Sequence, residues 1–414
     1  APVSGHAYHL FQVTGIEIEY MIVDAASLRV LPRADLVLRD AAGQAVSDVE
    51  HADISWSNEL VSHVIELKTS EPVPCLAGTA TAFQDHVRRI NAILAPHGAR
   101  LLPTGAHPFM DPATETVLWP HEYGPVYAAF DRIFGCKGHG WSNLQSMHVN
   151  LPFCGDEEFG RLHAAVRLLL PILPALTAST PILDGRVAGL LDGRMGFYGK
   201  NSARVPSVAG LVAPEPIFDE ATYRRDIFER MYRDMAPLDP QGLLCDEFLN
   251  ARGAIARFDR GAIEIRVLDS QECPAADLAV AGLVRGVLAA LVSGRLGEAM
   301  RLRDIDTARL AGILQAVIRD ADATILDAAD YQTALGLPKG PITAGEGWRA
   351  LYAAVAADME HDPVWDAPLK TILTRGCLAR RILCALGGDV SRPNLVAVYR
   401  RLADCLEAGE TFHG

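Results

Sequence analysis

Gly15-Ile16-Glu17-Ile18-Glu19-Tyr20 is the stretch of sequence that decides the fold. Apolar and acidic residues alternate along it, and successive side chains of a β-strand point to opposite faces of a sheet. The pattern therefore predicts a strand that buries Ile16 and Ile18 and presents Glu17 and Glu19 on the other face. Neighbouring positions on one face lie about 7 Å apart, so the two carboxylates could each approach a different bound ion.

Three further segments repeat this alternation far along the chain. They are Val64-Ile65-Glu66-Leu67-Lys68, Ser146-Met147-His148-Val149-Asn150 and Ala262-Ile263-Glu264-Ile265-Arg266-Val267. One such segment is typical of any half-solvated antiparallel strand. Four of them predict a sheet whose polar face collects Glu17, Glu19, Glu66, His148, Asn150, Glu264 and Arg266. Carboxylates concentrated on one face repel one another unless cations neutralise them.

Magnesium is the cation that this set of side chains favours, because hard cations prefer oxygen ligands. Manganese is an alternative, since it also accepts an imidazole. Zinc is disfavoured because none of the eight cysteines forms a Cys-x-x-Cys pair and no His-Glu-x-x-His occurs. Glu59 offers a further acid if a turn or bulge separates it from Glu66, because in one unbroken strand the two would face opposite sides.

Composition and charge limit the class of protein. Half of the 414 residues are hydrophobic, which is enough for a large core. The 51 acidic and 38 basic residues give a net charge of −13 without any basic run, so no nucleic-acid partner is expected. No signal pattern and no long apolar segment appear, which predicts a cytoplasmic protein without a membrane partner. A homo-oligomer is compatible with the sequence.

The order of the patterns predicts an α+β fold with a largely antiparallel sheet. Strand patterns dominate residues 11–70 and return near 100–103, 144–151 and 243–268, with helical patterns between them. Long helical patterns follow Pro274. We predict a single catalytic domain over 1–414, with a sheet-bearing core at 11–273 and a helical layer at 274–414. The Pro- and Gly-containing stretch 205–217 predicts a surface loop that could cover the site.

A bound nucleotide would have to be held without a glycine-rich phosphate loop. Gly199-Lys200 is followed by Asn201, so no Walker motif exists, and no strand-linked Gly-x-Gly-x-x-Gly occurs. Metals and arginines could hold phosphates instead, and Arg266 beside the carboxylates is suited to this. Arg194 could bind a substrate carboxylate or could be solvated, and Asp269 could be a site residue or a turn former.

The ordered motifs resemble the glutamate-cysteine ligase family, especially its bacterial family 2 carboxylate-amine ligases, over about residues 11–295. The resemblance is carried by Gly15-Ile-Glu-Ile-Glu19, Glu59 with Glu66-Leu-Lys-Thr69, Met147-His-Val-Asn150, Ser179-Thr-Pro181 with Gly185, Gly189 and Arg194, and Glu264-Ile-Arg-Val-Leu-Asp269. Two positions depart from the usual family 2 pattern. Ile18 separates two acids where many members have three in succession, and Asn150 stands where many have a second histidine.

The resemblance implies a glutamine-synthetase-like fold, in which a curved, mainly antiparallel sheet, with helices on one face, holds divalent ions around ATP. It implies that ATP phosphorylates a carboxylate, often the γ-carboxylate of glutamate, and that an amine, of which cysteine is the best-known example, displaces phosphate. By position, the implied metal ligands are Glu17, Glu19, Glu59, Glu66, His148 and Glu264. Arg266, Lys68 and Asn150 would contact the nucleotide, and Arg194 the substrate or phosphate.

Two other functions remain open from the sequence. Carboxylates with a histidine can also activate water, so a metal-dependent amide or ester hydrolase that needs no nucleotide is one alternative. A relative that binds nucleotide without catalysis is the other. The departure at Asn150 leaves the substrate subclass open as well.

Overall fold

The alternating segments lie side by side in one eight-stranded sheet in the computed structural model, which describes residues 8–414. Its strands are β1 (Gly15–Asp24), β2 (Asp48–Val49), β3 (Ile54–Asn58), β4 (Val64–Thr69), β5 (Ala99–Leu102), β6 (Ser146–Pro152), β9 (Ala254–Arg257) and β10 (Ala262–Asp269). The strand order is β2-β3-β4-β1-β6-β10-β9, and β5 pairs with β1. Every pairing in this sheet is antiparallel, which confirms the predicted sheet type.

Two small two-stranded sheets and sixteen α-helices accompany this sheet in residues 8–414, together with short 3-10 and π-helical segments. The small sheets are β7 (Ile182–Leu183) with β8 (Arg186–Val187) and β11 (Ile325–Leu326) with β12 (Ile342–Thr343). The helices are α1 (Thr79–Leu94), α2 (Pro112–Glu115), α3 (Gly124–Phe134), α4 (His139–Ser142), α5 (Gly155–Leu169), α6 (Pro174–Thr177), α7 (Gly193–Tyr198), α8 (Glu220–Tyr223), α9 (Glu229–Met235), α10 (Pro274–Val292), α11 (Thr307–Asp320), α12 (Ala329–Leu335), α13 (Ala344–Val355), α14 (Asp366–Arg375), α15 (Leu378–Leu386) and α16 (Arg392–Ala408).

The register of the strands places the predicted polar positions on one face of the sheet. Glu17 of β1 pairs with Lys68 of β4 on one side and with His148 of β6 on the other. Glu19 pairs with Glu66, and Glu264 of β10 pairs with Asn150. The alternating apolar residues, such as Ile16, Leu67 and Val149, are fully buried on the opposite face.

Helices α1, α5 and α10 supply the apolar residues that join the buried face of the sheet in one hydrophobic core. Phe83, Val87 and Ile90 of α1 recur at helical spacing and are all fully buried. This core draws on both 11–273 and 274–414, and a single catalytic domain stays a prediction.

Helix α10 is the most apolar helix and belongs to the protein core. By length and composition its 19 residues could span a membrane, and an 18-residue window of the helix has a mean hydropathy of 1.9. However, 78% of that apolar window is buried inside the protein. Gly282 and Gly286 let neighbouring side chains approach, since a Cβ there would lie 2.7 Å from Trp365 and 2.8 Å from Met359. Burial on all sides explains the hydropathy without a membrane; a cytoplasmic location remains a prediction.

A second, smaller core covers half of the polar face and so sets the limits of the site. Met21 and Val23 continue the row of Glu17 and Glu19 along β1. They are buried with residues of α15 and α16, including Ile382 and Leu402. The C-terminal helices therefore cover the part of this face that contains Met21 and Val23. Glu17 and Glu19 lie on the part that these helices do not cover.

Stretch 205–217 differs from the predicted surface loop. It contains a short 3-10 helix, Pro206–Val208, and its Val205, Val208, Val212 and Ile217 are buried in the main core. The prediction was wrong because these apolar residues have no regular spacing, so neither strand nor helix periodicity marked them as buried. A packed segment of this kind is unsuited to opening and closing over the site.

Candidate functional site

Two groups of three possible metal ligands meet on the polar face of the sheet and share Glu66. One group is Glu17, Glu66 and His148, and the other is Glu19, Glu59 and Glu66. Within each group the ligand atoms lie within 4.8 Å of one another. Glu59 reaches the second group because it follows β3 and a turn separates it from β4.

Glu17 and His148 form the charged centre of the first group. Nδ1 of His148 lies 2.9 Å from Oε2 of Glu17, and Nδ2 of Asn150 donates to Oε1 across 3.1 Å. Burial alone would raise the pKa of Glu17, but the hydrogen bond and charge of His148 lower it to about 2. Burial would lower the pKa of His148, whereas Glu17 and Glu264 raise it. Each side chain therefore favours the charged form of the other.

The second group brings three carboxyl groups so close together that their ionised forms are disfavoured without a cation. Burial and the carboxylates of Glu19 and Glu66 raise the pKa of Glu59 well above its usual value. Burial and the charge of Glu17 raise the pKa of Glu66 to about 7. Burial raises the pKa of Glu19 as well, against the charge of His148. Three carboxyl groups with raised pKa values at such short range fit a divalent cation.

Two serines next to the second group fix the orientation of its carboxylates. Ser57 donates from Oγ to Oε1 of Glu66 across 2.8 Å. The backbone amide of Ser146 donates to Oε2 of Glu19, also across 2.8 Å. These contacts leave other carboxylate oxygens free to bind a ligand.

Glu264 and Arg266 close the other side of the site on β10. Oε1 of Glu264 lies 3.7 Å from Nδ1 of His148 and 3.0 Å from Nε of Arg266. Arg266 also donates from Nη1 to the carbonyl oxygen of Asn250 across 3.1 Å. The register of β10 brings both side chains beside the first group, as the alternation predicted.

Arg194 is buried behind Arg266. Its Nη2 donates to the carbonyl oxygen of Arg266 across 3.2 Å, and its Nε donates to Oδ1 of Asp269. Asp269 also accepts hydrogen bonds from Ser179 and Thr180. Asp269 is thus a fully buried hub and not an exposed turn former. Substrate binding by Arg194 remains a prediction.

A cavity of about 630 Å³ opens beside Glu17. Lys68, Asn150 and Arg260 are among the residues that line it. Nζ of Lys68 lies 3.0 Å from Oγ of Ser57 and 3.4 Å from Oε1 of Glu66. This cavity volume lies in the range of small-molecule sites. The ammonium group of Lys68 brings positive charge next to the carboxylate of Glu66.

Sequence reasoning missed two arginines of this region. Nη1 of Arg257 lies 3.5 Å from Oε2 of Glu264, and Arg260 lines the cavity. Both lie in or next to the hairpin that joins β9 to β10. The turn signal Asp259-Arg260-Gly261 before the Glu264 strand could have placed them there.

The donor set fits divalent cations of the predicted kind. It consists of carboxylate oxygens and one imidazole, with no cysteine in either group. The six predicted ligands and Arg266 meet on one face, and Lys68 and Asn150 border the cavity. Their roles in binding metal or nucleotide remain predictions.

A family model described as glutamate-cysteine ligase family 2 matches residues 13–330. The chain belongs to this family. The match confirms the resemblance carried by the motifs of β1, β4, β6 and β10. It ends before α13, so helices α13 to α16 lie outside the part of the chain that the family model covers.

Individual relatives are similar at a moderate level. A protein of Archaeoglobus fulgidus named only as uncharacterised is 29% identical over 401 residues, which cover 96% of this chain and 99% of that protein. A "Putative glutamate--cysteine ligase 2" of Salinispora arenicola is 29% identical over 293 residues, covering 67% and 66% of the two chains.

A solved structure shares the fold. The 2.0 Å crystal structure of the Francisella tularensis glutamate-cysteine ligase in complex with AMP superposes with a TM-score of 0.61 at 13% sequence identity. The superposition covers 97% of this chain and 90% of that one. At this identity the likeness shows the fold alone, and it confirms the predicted fold class.

Proposed function

We propose that this protein is an ATP- and magnesium-dependent carboxylate-amine ligase that forms an amide through an acyl phosphate. The γ-carboxylate of glutamate is the proposed donor, and cysteine or another amine is the proposed acceptor. The observation that carries the proposal is the meeting of two groups of possible metal ligands that share Glu66, each within 4.8 Å, next to a cavity lined by Glu17, Lys68 and Arg260. Membership of glutamate-cysteine ligase family 2 supports the same reaction.

The acidic groups would hold the divalent cations. Glu17, Glu66 and His148 would form one set of ligands, and Glu19, Glu59 and Glu66 another, with Glu264 adjacent to the first. Bound Mg²⁺, or Mn²⁺, would neutralise the charge of the polyphosphate and of the donor carboxylate.

The cavity beside Glu17 is the proposed nucleotide site. Lys68 and Arg260 bring positive charge to it, and Asn150 can donate a hydrogen bond. Arg266 would contact the phosphates from the β10 side, since its side chain is 24% exposed and lies 3.0 Å from Glu264. The AMP in the Francisella tularensis enzyme supports nucleotide binding by this fold.

The reaction needs positioning and charge neutralisation more than a protein nucleophile. A donor carboxylate oxygen attacks the γ-phosphorus of ATP, and ADP leaves. The amine nitrogen then attacks the carbonyl carbon of the acyl phosphate, loses a proton, and phosphate leaves. Arg194, buried between Asp269 and the backbone of Arg266, would stabilise the donor or phosphate end if that end of the site opens to substrate.

The test is a coupled assay of ADP release over a matrix of amino-acid donors and amine acceptors, with Mg²⁺ or Mn²⁺. We expect rapid ADP release only when both a donor and an acceptor are present, with one amide formed per ADP. Amide or ester hydrolysis without nucleotide would contradict the proposal. Tight ATP binding without product across the whole matrix would indicate an inactive relative.

Variants connect the activity to the site. Glu264→Gln should lower the rate at least about 100-fold, because it removes a negative charge from the proposed cation site. Glu229→Gln is the matched control, since Glu229 is exposed on α9. Full activity of Glu264→Gln at saturating magnesium would remove Glu264 from the mechanism.

A further inference from the structure

A small cavity in the helical layer carries an excess of positive charge. It has a volume of about 220 Å³ and lies between α6, α13, α14 and the start of α15. Its charged lining residues are Arg349, Arg375, Arg380 and Asp322. Three arginines and one aspartate give this lining an excess of positive charge, in a chain whose net charge is −13. Glu346, in the first turn of α13, also acts electrostatically on Arg349.

Only one of the three arginines has an acidic partner among residues 8–414. Nε of Arg380 lies 2.8 Å and 3.1 Å from the two carboxylate oxygens of Asp322. Arg349 donates from Nη1 to the carbonyl oxygen of Leu373 across 3.0 Å, and Arg375 has no hydrogen bond or ion pair within the described chain. Two guanidinium groups are thus available to an anion.

The backbone around the cavity includes one position that only a glycine fits. Helix α13 begins at Ala344, and Gly345 of its first turn lines the cavity. This helix end adds no free positive charge, because Thr343 and the carboxylate of Glu346 cap it. Gly376 connects α14 to α15 with φ +86°, and a Cβ there would lie 2.9 Å from Oδ2 of Asp322. A side chain at Gly376 would therefore clash with the carboxylate of the cavity wall.

We infer that this cavity, formed by Arg349, Arg375 and Arg380 near the start of α13, binds a small oxyanion. Guanidinium groups are suited to carboxylate and phosphate oxygens, which they can bind with paired hydrogen bonds. The volume limits the ligand to the size of phosphate or a short dicarboxylate. Most of the lining lies beyond residue 330, outside the family match.

The cavity lies behind the segment that carries Arg194. Asp322 follows α11, whose Ile318 carbonyl oxygen accepts a hydrogen bond from the amide of Asp192. Asp192 in turn caps α7, which contains Arg194. Binding of an anion at this place can be measured without any assumption about catalysis, so the inference and the proposed function can fail separately.

The test is calorimetric titration of the full chain with inorganic phosphate and, separately, with succinate, against sodium chloride at equal ionic strength. We expect saturable binding of at least one of the two. Arg375→Ala and Arg349→Ala should each weaken it about tenfold or more, the loss of one charge-assisted contact. Arg301→Ala is the matched control, because Arg301 is 79% exposed and paired with Glu298.

Arg375→Ala keeps the test decisive, because Arg375 has no intramolecular polar contact to lose and its removal should leave the thermal midpoint unchanged. Unaltered affinity in both arginine variants would overturn the inference, since phosphate would then bind elsewhere, for example beside Lys68. If sodium chloride at equal ionic strength gave the same heat of titration as phosphate or succinate, the inference would also be overturned, because the heat would then reflect general ionic screening.

Discussion

Nε of Arg194 lies 2.5 Å from Oδ1 of Asp269, and both side chains are buried. Asp269 ends β10, two residues beyond Val267, whereas Arg194 belongs to α7. The pair therefore joins the strand that carries Glu264 and Arg266 to a separate part of the chain. The geometry of the site depends on this connection.

Asp269→Asn should destabilise the protein strongly, because it removes the hydrogen-bonded counter-charge of the buried Arg194 guanidinium. We expect a loss of about 3–5 kcal/mol in the free energy of unfolding, measured by chemical denaturation. Asp226→Asn is the control, since Asp226 forms an exposed pair with Arg225, and its denaturation midpoint should not change. Equal effects of the two substitutions would contradict a special role for the buried pair.

Glu59→Gln should stabilise the metal-free protein and weaken its binding of cations. The folded state disfavours the ionised carboxylate of Glu59, whose pKa is raised by burial and by its acidic neighbours, so removing this group should give a gain of about 1–2 kcal/mol in EDTA at neutral pH. The same charge would help to hold Mn²⁺, so the affinity for Mn²⁺ should fall at least about tenfold.

Thermal unfolding in EDTA and titration with Mn²⁺ would measure the two effects of Glu59→Gln. The exposed control Glu229→Gln should change neither quantity. If Glu59→Gln lowered stability in EDTA, the carboxyl group of Glu59 would be making a favourable contact instead of repelling its neighbours.

The faces of the central strands could be predicted from sequence because alternation is a local property. Strand geometry alone determines the face of the sheet on which each side chain of Ile16, Glu17, Ile18 and Glu19 lies. The fact that β1, β4, β6 and β10 are adjacent is a long-range property, and the family resemblance supplied it. The separation of Glu59 from Glu66 by a turn also followed from a local rule.

The parts that sequence did not predict depend on tertiary packing. Met21 and Val23 continue the row of Glu17 and Glu19 with apolar residues, which indicates burial on both faces, but no local signal shows that α15 and α16 cover them. The sequence around Asp269 is typical of an ordinary strand end, and only the tertiary contact with Arg194 shows its structural role. The burial of 205–217 also depends on tertiary packing. The amide of Gly253 donates to the carbonyl oxygen of Val212, and no shared periodicity in the sequence predicts such a contact.

Three buried histidines should make the protein sensitive to mild acid. Burial lowers the pKa of His63 to about 3, and that of His107 and His163 to about 4. Their unfolded pKa is about 6.5, so the folded state favours the neutral ring. The stability that this provides is complete above pH 6.5 and is lost as the pH falls toward 4, by about 2 kcal/mol per histidine between pH 7 and pH 5.

Denaturation at pH 7 and pH 5 would measure this loss for the wild-type protein and for His163→Gln. We expect the variant to be less stable at pH 7, where it buries an amide, but to lose less stability on acidification. His97→Gln is the control, because His97 is exposed and its replacement should leave the pH dependence unchanged. An unaltered slope in His163→Gln would show that other groups cause the acid sensitivity.

Gly282 and Gly312 should respond in opposite directions to alanine, although both lie inside helices. Alanine favours a helix by up to about 1 kcal/mol over glycine. At Gly312 of α11 a Cβ meets nothing within 4 Å, so Gly312→Ala should stabilise the protein by about 0.5–1 kcal/mol. At Gly282 of α10 a Cβ would lie 2.7 Å from the ring of Trp365, so Gly282→Ala should destabilise it by about 1–3 kcal/mol. Thermal and chemical unfolding of the two variants would measure these changes in stability. Stabilisation by both substitutions would show that α10 and Trp365 do not pack this closely.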